Sequence, residues 1–210
     1  RREKMEAIAH KLGLNFEFFE AISSDNDEIL NQFKSTNLTS RHKACYVSHY
    51  KVYESIVHNG YSDVLILEDD VDIEMDIISI MNEIFHILPT DWEMLYIGHC
   101  AQEDIGEFIA ETTSNFKLYK STRPPCIHAY GITSSGARKL LKELINPSEP
   151  VDVEIIRKIT SGIITSYSLE PKAIVQWKSS DNPSDVSPGD VQWTYPLKNS
   201  TLHSLGYKET

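Results

Sequence analysis

The sequence predicts one α/β domain with a mostly parallel central sheet flanked by helices. Short apolar runs alternate with amphipathic stretches along the chain, and the runs are of strand length. At 210 residues, 40% hydrophobic and 24% charged, the chain is long enough to close a core without metal or disulfide staples.

Met5, Ile8, Ala9 and Leu12 recur at helical spacing, and Gly13 stops that helix. Phe16, Phe18 and Phe19 suggest a short strand. Residues 23–40 read as polar loop with one helical turn near Ile29 to Phe33. From about His42 to Val57 a helix gathers Cys45, His49, Val52, Tyr53 and Ile56 on one face, ending at Gly60. Val64-Leu65-Ile66-Leu67 is a continuous apolar run of the kind that forms buried parallel strands.

Ile77 to Ile87 is helical up to Pro89, and Met94 to Ile97 is a second apolar strand closed by Gly98. A hairpin is expected around Thr112 to Tyr119. Tyr130 to Thr133 is a strand leading into a helix over Gly136 to Leu144, and a further helix starts near Asp152. Ile163 to Leu169 and Ile174 to Gln176 complete the strands, with polar loop and tail beyond. The domain is expected over 1–188, with 189–210 as a C-terminal tail.

The net charge of −11 argues against a nucleic-acid or anionic-membrane surface, since both need clustered Lys and Arg. A phosphorylated substrate would need a local cation in so acidic a chain. No apolar run reaches the length of about 18 residues expected of a transmembrane helix. The three cysteines, Cys45, Cys100 and Cys126, are far apart and odd in number, so buried free thiols are expected rather than zinc or disulfides.

Glu68-Asp69-Asp70 follows the apolar run directly. Ligands of open α/β sheets gather at carboxyl ends of strands, and magnesium or manganese takes one or two carboxylates plus phosphate oxygens. The acids therefore read either as a divalent-metal site or as a solvated loop capping the next helix. His49 is either a buried, hydrogen-bonded core histidine or a contact to substrate or to the acidic loop. His128 is a further candidate metal ligand.

Leu65-Ile66-Leu67-Glu68-Asp69-Asp70-Val71, with Ser48-His49 upstream, resembles glycosyltransferase family 25. That family includes bacterial lipooligosaccharide galactosyltransferases and collagen galactosyltransferases. Further similar segments follow in order: Asp91 to Gly98, Ala129 to Thr133, Gly136 to Leu141, Pro150-Val151-Asp152, then Gln176 with Ser184-Asp185-Val186. The resemblance spans roughly residues 1–188. It implies a GT-A type fold, a UDP-sugar donor (often UDP-galactose), a carbohydrate or glycoprotein acceptor, manganese or another divalent cation, and inversion at the sugar carbon.

By that resemblance Asp70 and Glu68 hold the metal, and Ser48, His49, Glu68, Asp69, Tyr130 and Asp185 bind substrate. Asp152 is the candidate base, with a plain helix-start role as the alternative; Asp185 is alternatively an ordinary turn residue. Two departures stand out. Related chains usually begin with a nucleotide-binding strand, whereas this sequence starts at the arginine-bearing segment after it. Where the family often has Glu-x-Gly-Cys, this chain has His42-Lys43-Ala44-Cys45. A catalytically silent binding module on the same fold is the competing expectation.

Overall fold

The structure, a computed structural model, describes residues 1–33, 38–100, 106–177 and 196–207. It is α/β, consistent with a GT-A-like fold. Helices α1 (Arg2–Leu12), α2 (Asp27–Leu30) and α3 (Ser40–Asn59) precede strands β1 (Asp63–Leu67) and β2 (Val71–Ile73). Then come α4 (Ile77–Ile87), β3 (Met94–Gly98), the hairpin β4 (Gly106–Glu111) and β5 (Lys117–Ser121), and β6 (Ala129–Thr133). The chain continues through α5 (Ser134–Glu143), α6 (Val151–Thr160), β7 (Ser166–Glu170), β8 (Ile174–Gln176) and α7 (Thr201–Ser204).

The helices form where periodicity places them, and local chemistry ends them. Gly13 and Gly60 take φ of 65° and 71°, the left-handed turn that closes α1 and α3 and that glycine adopts without a Cβ penalty. Thr39 caps α3 and Thr133 caps α5, each accepting a backbone N–H three residues on. Residues 14–23 carry no regular structure, so the strand expected at Phe16 to Phe19 does not form. Phe18 and Phe19 are exposed there, with the Arg2 guanidinium over the Phe18 ring.

The main sheet runs β1-β6-β3-β7-β5-β4, and a small sheet pairs β2 with β8. Pairing is mostly antiparallel, where the alternation of strands and helices suggested mostly parallel; β3 and β7 form the parallel pair. The cause is the excursion between β3 and β6. It returns the chain to the carboxyl end of β3, so β6 enters from that end, with Gly98 opposite Ala129, and runs back between β1 and β3. Thus β1, β3 and β7 still share one direction. β1 is an edge strand with Leu65 exposed, not the fully buried strand its apolar run suggested.

Period-two alternation divides two cores across the sheet. Met94, Tyr96, Tyr130 and Ile132 face α3, α5 and α6, whereas Leu95, Ile97 and Leu169 face α1, α4 and α7. Glu93, at the foot of β3, accepts from Lys139 Nζ at 2.7 Å, Ser135 Oγ at 2.9 Å and the Thr165 N–H at 3.2 Å. Burial works to raise its pKa, but those bonds outweigh it and hold the carboxyl below its usual range.

Past the main sheet, Asp72 accepts from the Ser200 hydroxyl and the Leu202 N–H, and Glu74 from the N–H groups of Lys198 and Asn199. These acids of the β2 region seat residues 198–202, where Thr201 and Leu202 are buried.

Two of the three cysteines correct the free-thiol expectation: Cys100 and Cys126 form a disulfide, while Cys45 is free. The antiparallel register of β3 and β6 brings together loops 26 residues apart in sequence, a proximity invisible to spacing.

Gly98 marks the tightest packing at the carboxyl edge. A Cβ there would lie 2.3 Å from the Ile174 carbonyl oxygen and 2.5 Å from His128 Nε2. Backbone must then move, so Gly98→Ala is expected to cost about 1–3 kcal/mol, read as a lower urea midpoint at unchanged slope.

Candidate functional site

The carboxyl edge of β1 carries the acidic triplet, and each acid meets a different environment. The Glu68 N–H donates to the His128 carbonyl at 2.9 Å, continuing the β1–β6 ladder by one residue. One Glu68 oxygen accepts from Gln176 Nε2 at 3.3 Å, and the other lies 3.6 Å from His49 Nε2. Asp69 points outward and pairs with Arg1 at 2.9 Å. Asp70 is 5% exposed, and its carbonyl accepts the Trp177 N–H. The chain turns inward at Asp70 because Val71 and Ile73 must enter the apolar core.

Beneath the acids runs a buried relay. His49 Nδ1 is 2.9 Å from the Tyr130 hydroxyl, which is 2.8 Å from the Tyr53 hydroxyl. His49 is 7% exposed, and both tyrosines are fully enclosed. Burial pushes both phenols well above their ordinary range, so they act as neutral hydrogen-bonding groups. His49 is thus buried and hydrogen-bonded, and it also reaches the acidic loop; the two expectations for it coexist.

Ser48 looks elsewhere, accepting the Ile22 N–H at 2.8 Å and donating to the Ala44 carbonyl at 2.8 Å. It pins the segment after α1 to α3. Asp152 sits in the first turn of α6, half-buried, with its Oδ1 accepting the Val153 N–H at 2.9 Å. Asp185 lies outside the described residues.

Cys45, a turn before His49 on α3, has its pKa pushed well up, first by burial and then by the charges of Glu68, Asp152 and Asp70. Tyr96 is fully buried, and its phenol is likewise raised, by burial first and then by Tyr53 and Asp152. Its hydroxyl has no hydrogen-bond partner among the described residues. Cys45, Tyr53 and Tyr96 are site residues that pattern reading assigned only to the core, because an apolar helix face and a strand give no sign of what they adjoin.

At the same edge of β3, His99 is 3% exposed, with Nε2 donating to the Leu169 carbonyl at 3.1 Å and 3.5 Å from Glu170. Burial, then Lys172, lowers its pKa to about 4. A histidine kept neutral in the fold but protonated near pH 6.5 when unfolded adds stability above that pH. That stability is lost as pH falls from about 6.5 through about 4, by roughly 3 kcal/mol. His99→Gln is expected to flatten this part of the stability–pH curve in urea titrations.

The donor set at Asp70 and Glu68 is made of carboxylate oxygens, the ligand type that magnesium and manganese prefer. In ligand chemistry these two residues suit a hard divalent cation. No helix among the described residues is long and apolar enough to cross a membrane.

The family described as "Glycosyltransferase family 25 (LPS biosynthesis protein)" matches residues 1–155. "Procollagen galactosyltransferase 1-B" of Xenopus laevis is 25% identical over 189 residues, 80% of this chain and 30% of that protein. "Glycosyltransferase 25 family member" of Aedes aegypti is 26% identical over 162 residues, covering 68% and 26% respectively. "Inactive glycosyltransferase 25 family member 3" of Homo sapiens is 26% identical over 120 residues, covering 52% and 18%. The chain thus spans between about a fifth and a third of these relatives' length. Because the family match extends over most of its length, this chain belongs to glycosyltransferase family 25.

Proposed function

We propose that this chain transfers a hexose, galactose in the first instance, from a UDP-sugar to a glycan or protein hydroxyl, with a divalent metal and inversion at the sugar carbon. The observation that carries the reading is the placement of Glu68 and the buried Asp70 directly after β1, in a chain of this family. Inverting sugar transfer needs metal ligands and a base, and Asp152 in the first turn of α6 is the candidate base.

Asp70, with Glu68, would hold manganese; bound there, the ion offsets the charge gathering on the UDP leaving group. Asp152 takes the proton of the acceptor hydroxyl as its oxygen bonds to the anomeric carbon and the bond to UDP breaks on the opposite side. The Val153 N–H fixes the orientation of that carboxylate. Gln176 and His49 orient Glu68, Tyr130 holds His49, and Ser48 fixes the segment beside α3. Asp69 and Asp185 complete the proposed donor contacts. The Cys100–Cys126 disulfide suits an oxidising compartment.

The test is UDP release from a panel of UDP-sugars with candidate acceptors. Manganese-dependent release, lowered at least about a hundredfold by EDTA, is the expected result. Tight UDP-sugar binding with no release from any donor would overturn it in favour of a silent binding module. The relative named inactive is the observation behind that second reading.

A further inference from the structure

We infer that Cys45, His49 and Glu68 form a site for a thiophilic divalent cation of the zinc class, distinct from the hard-cation set centred on Asp70. The Cys45 sulfur, a His49 ring nitrogen and a Glu68 carboxylate oxygen all lie within 4.8 Å of one another. Cys45 and His49 are four residues apart on α3, hence on one helix face, and Glu68 comes to meet them from the end of β1. Tetrahedral zinc bonded at about 2.3 Å to sulfur and about 2.0–2.2 Å to nitrogen and oxygen spaces its ligands slightly closer than this. Half-buried Glu68 has the freedom to close the difference.

Two of the three ligands already have the outer hydrogen bonds that orient metal ligands. Tyr130, itself bonded to Tyr53, holds His49 Nδ1 and leaves Nε2 toward Glu68. Gln176 holds one Glu68 oxygen while the other faces His49. An arriving dication forms the metal–sulfur bond as the thiol proton is released to solvent.

Thiolate and imidazole favour zinc over magnesium or manganese, so the two neighbouring sets differ in the cation they choose. The other sulfur-containing group, Cys100, Cys126 and His128, has its sulfurs joined and offers no thiolate. The inference does not rest on sugar transfer, although Glu68 is common to both sets.

Cobalt(II) is the spectroscopic probe. Titrated into the metal-free chain without thiol reductant, it should give a thiolate-to-cobalt charge-transfer band that saturates at one equivalent and is bleached by zinc. Cys45→Ser should abolish the band, His49→Gln should weaken cobalt binding at least about tenfold, and Asp70→Ala should keep it. In the unmutated chain, one equivalent of zinc should slow alkylation of Cys45 by iodoacetamide at least about tenfold, and magnesium should not. Absence of the band and of zinc protection in the unmutated chain would overturn the site. So would a band that persists in Cys45→Ser.

Discussion

Asp70→Ala is expected to lower manganese-dependent UDP release by at least about a hundredfold, because a buried carboxylate ligand and its charge are lost together. Asp70 is 5% exposed, whereas Asp69 beside it points outward to Arg1. Asp69→Ala therefore serves as the milder contrast, expected to weaken donor use only a few-fold, because Asp69 is an exposed, proposed donor contact outside the metal ligands. The bond from Trp177 to Asp70 uses the backbone carbonyl, so the substitution leaves β2 and β8 tied together. The measurement is initial-rate UDP release at several manganese concentrations, with the thermal midpoint as the folding control. Unchanged release from a folded Asp70→Ala chain would remove Asp70 from the metal site.

Asp152→Asn carries the second large effect, a fall in kcat of about a hundredfold to ten-thousandfold with little change in donor KM. Asparagine keeps the size and an acceptor for the Val153 N–H but cannot take a proton. A role confined to starting α6 predicts something else: loss of a carboxylate from a helix's first turn costs about 0.3–1 kcal/mol of stability and leaves turnover intact. A modest drop in thermal midpoint with an unchanged kcat would thus return Asp152 to structure alone.

The two carboxylates differ in how legible they were. Asp70 could be found by local reading, since an apolar run followed at once by three acids places those acids at a strand end. Asp152 had only its resemblance to a family segment; nothing between residues 70 and 152 reports their distance. α6, which carries Asp152, packs on the sheet face that also receives α3, through Val151, Ile155 and Tyr96.

Similar limits governed the sheet. Its strands were legible at Met94 to Ile97, Tyr130 to Thr133 and Ile174 to Gln176, where apolar runs meet turn residues. Their directions were not, since hydrophobic periodicity is the same for parallel and antiparallel neighbours.

The sequence by itself determined most of the helices and strands, the helix ends at Gly13 and Gly60, and the emergence of Glu68-Asp69-Asp70 at a strand end. These follow from interactions within a few residues: spacing of apolar side chains and φ freedom. Only the tertiary structure decided that β6 returns between β1 and β3, that Cys100 meets Cys126, and that Cys45 faces His49 and Glu68. Each of these depends on strand order and register, fixed by burial of two apolar faces at once. No short stretch of chain contains that information.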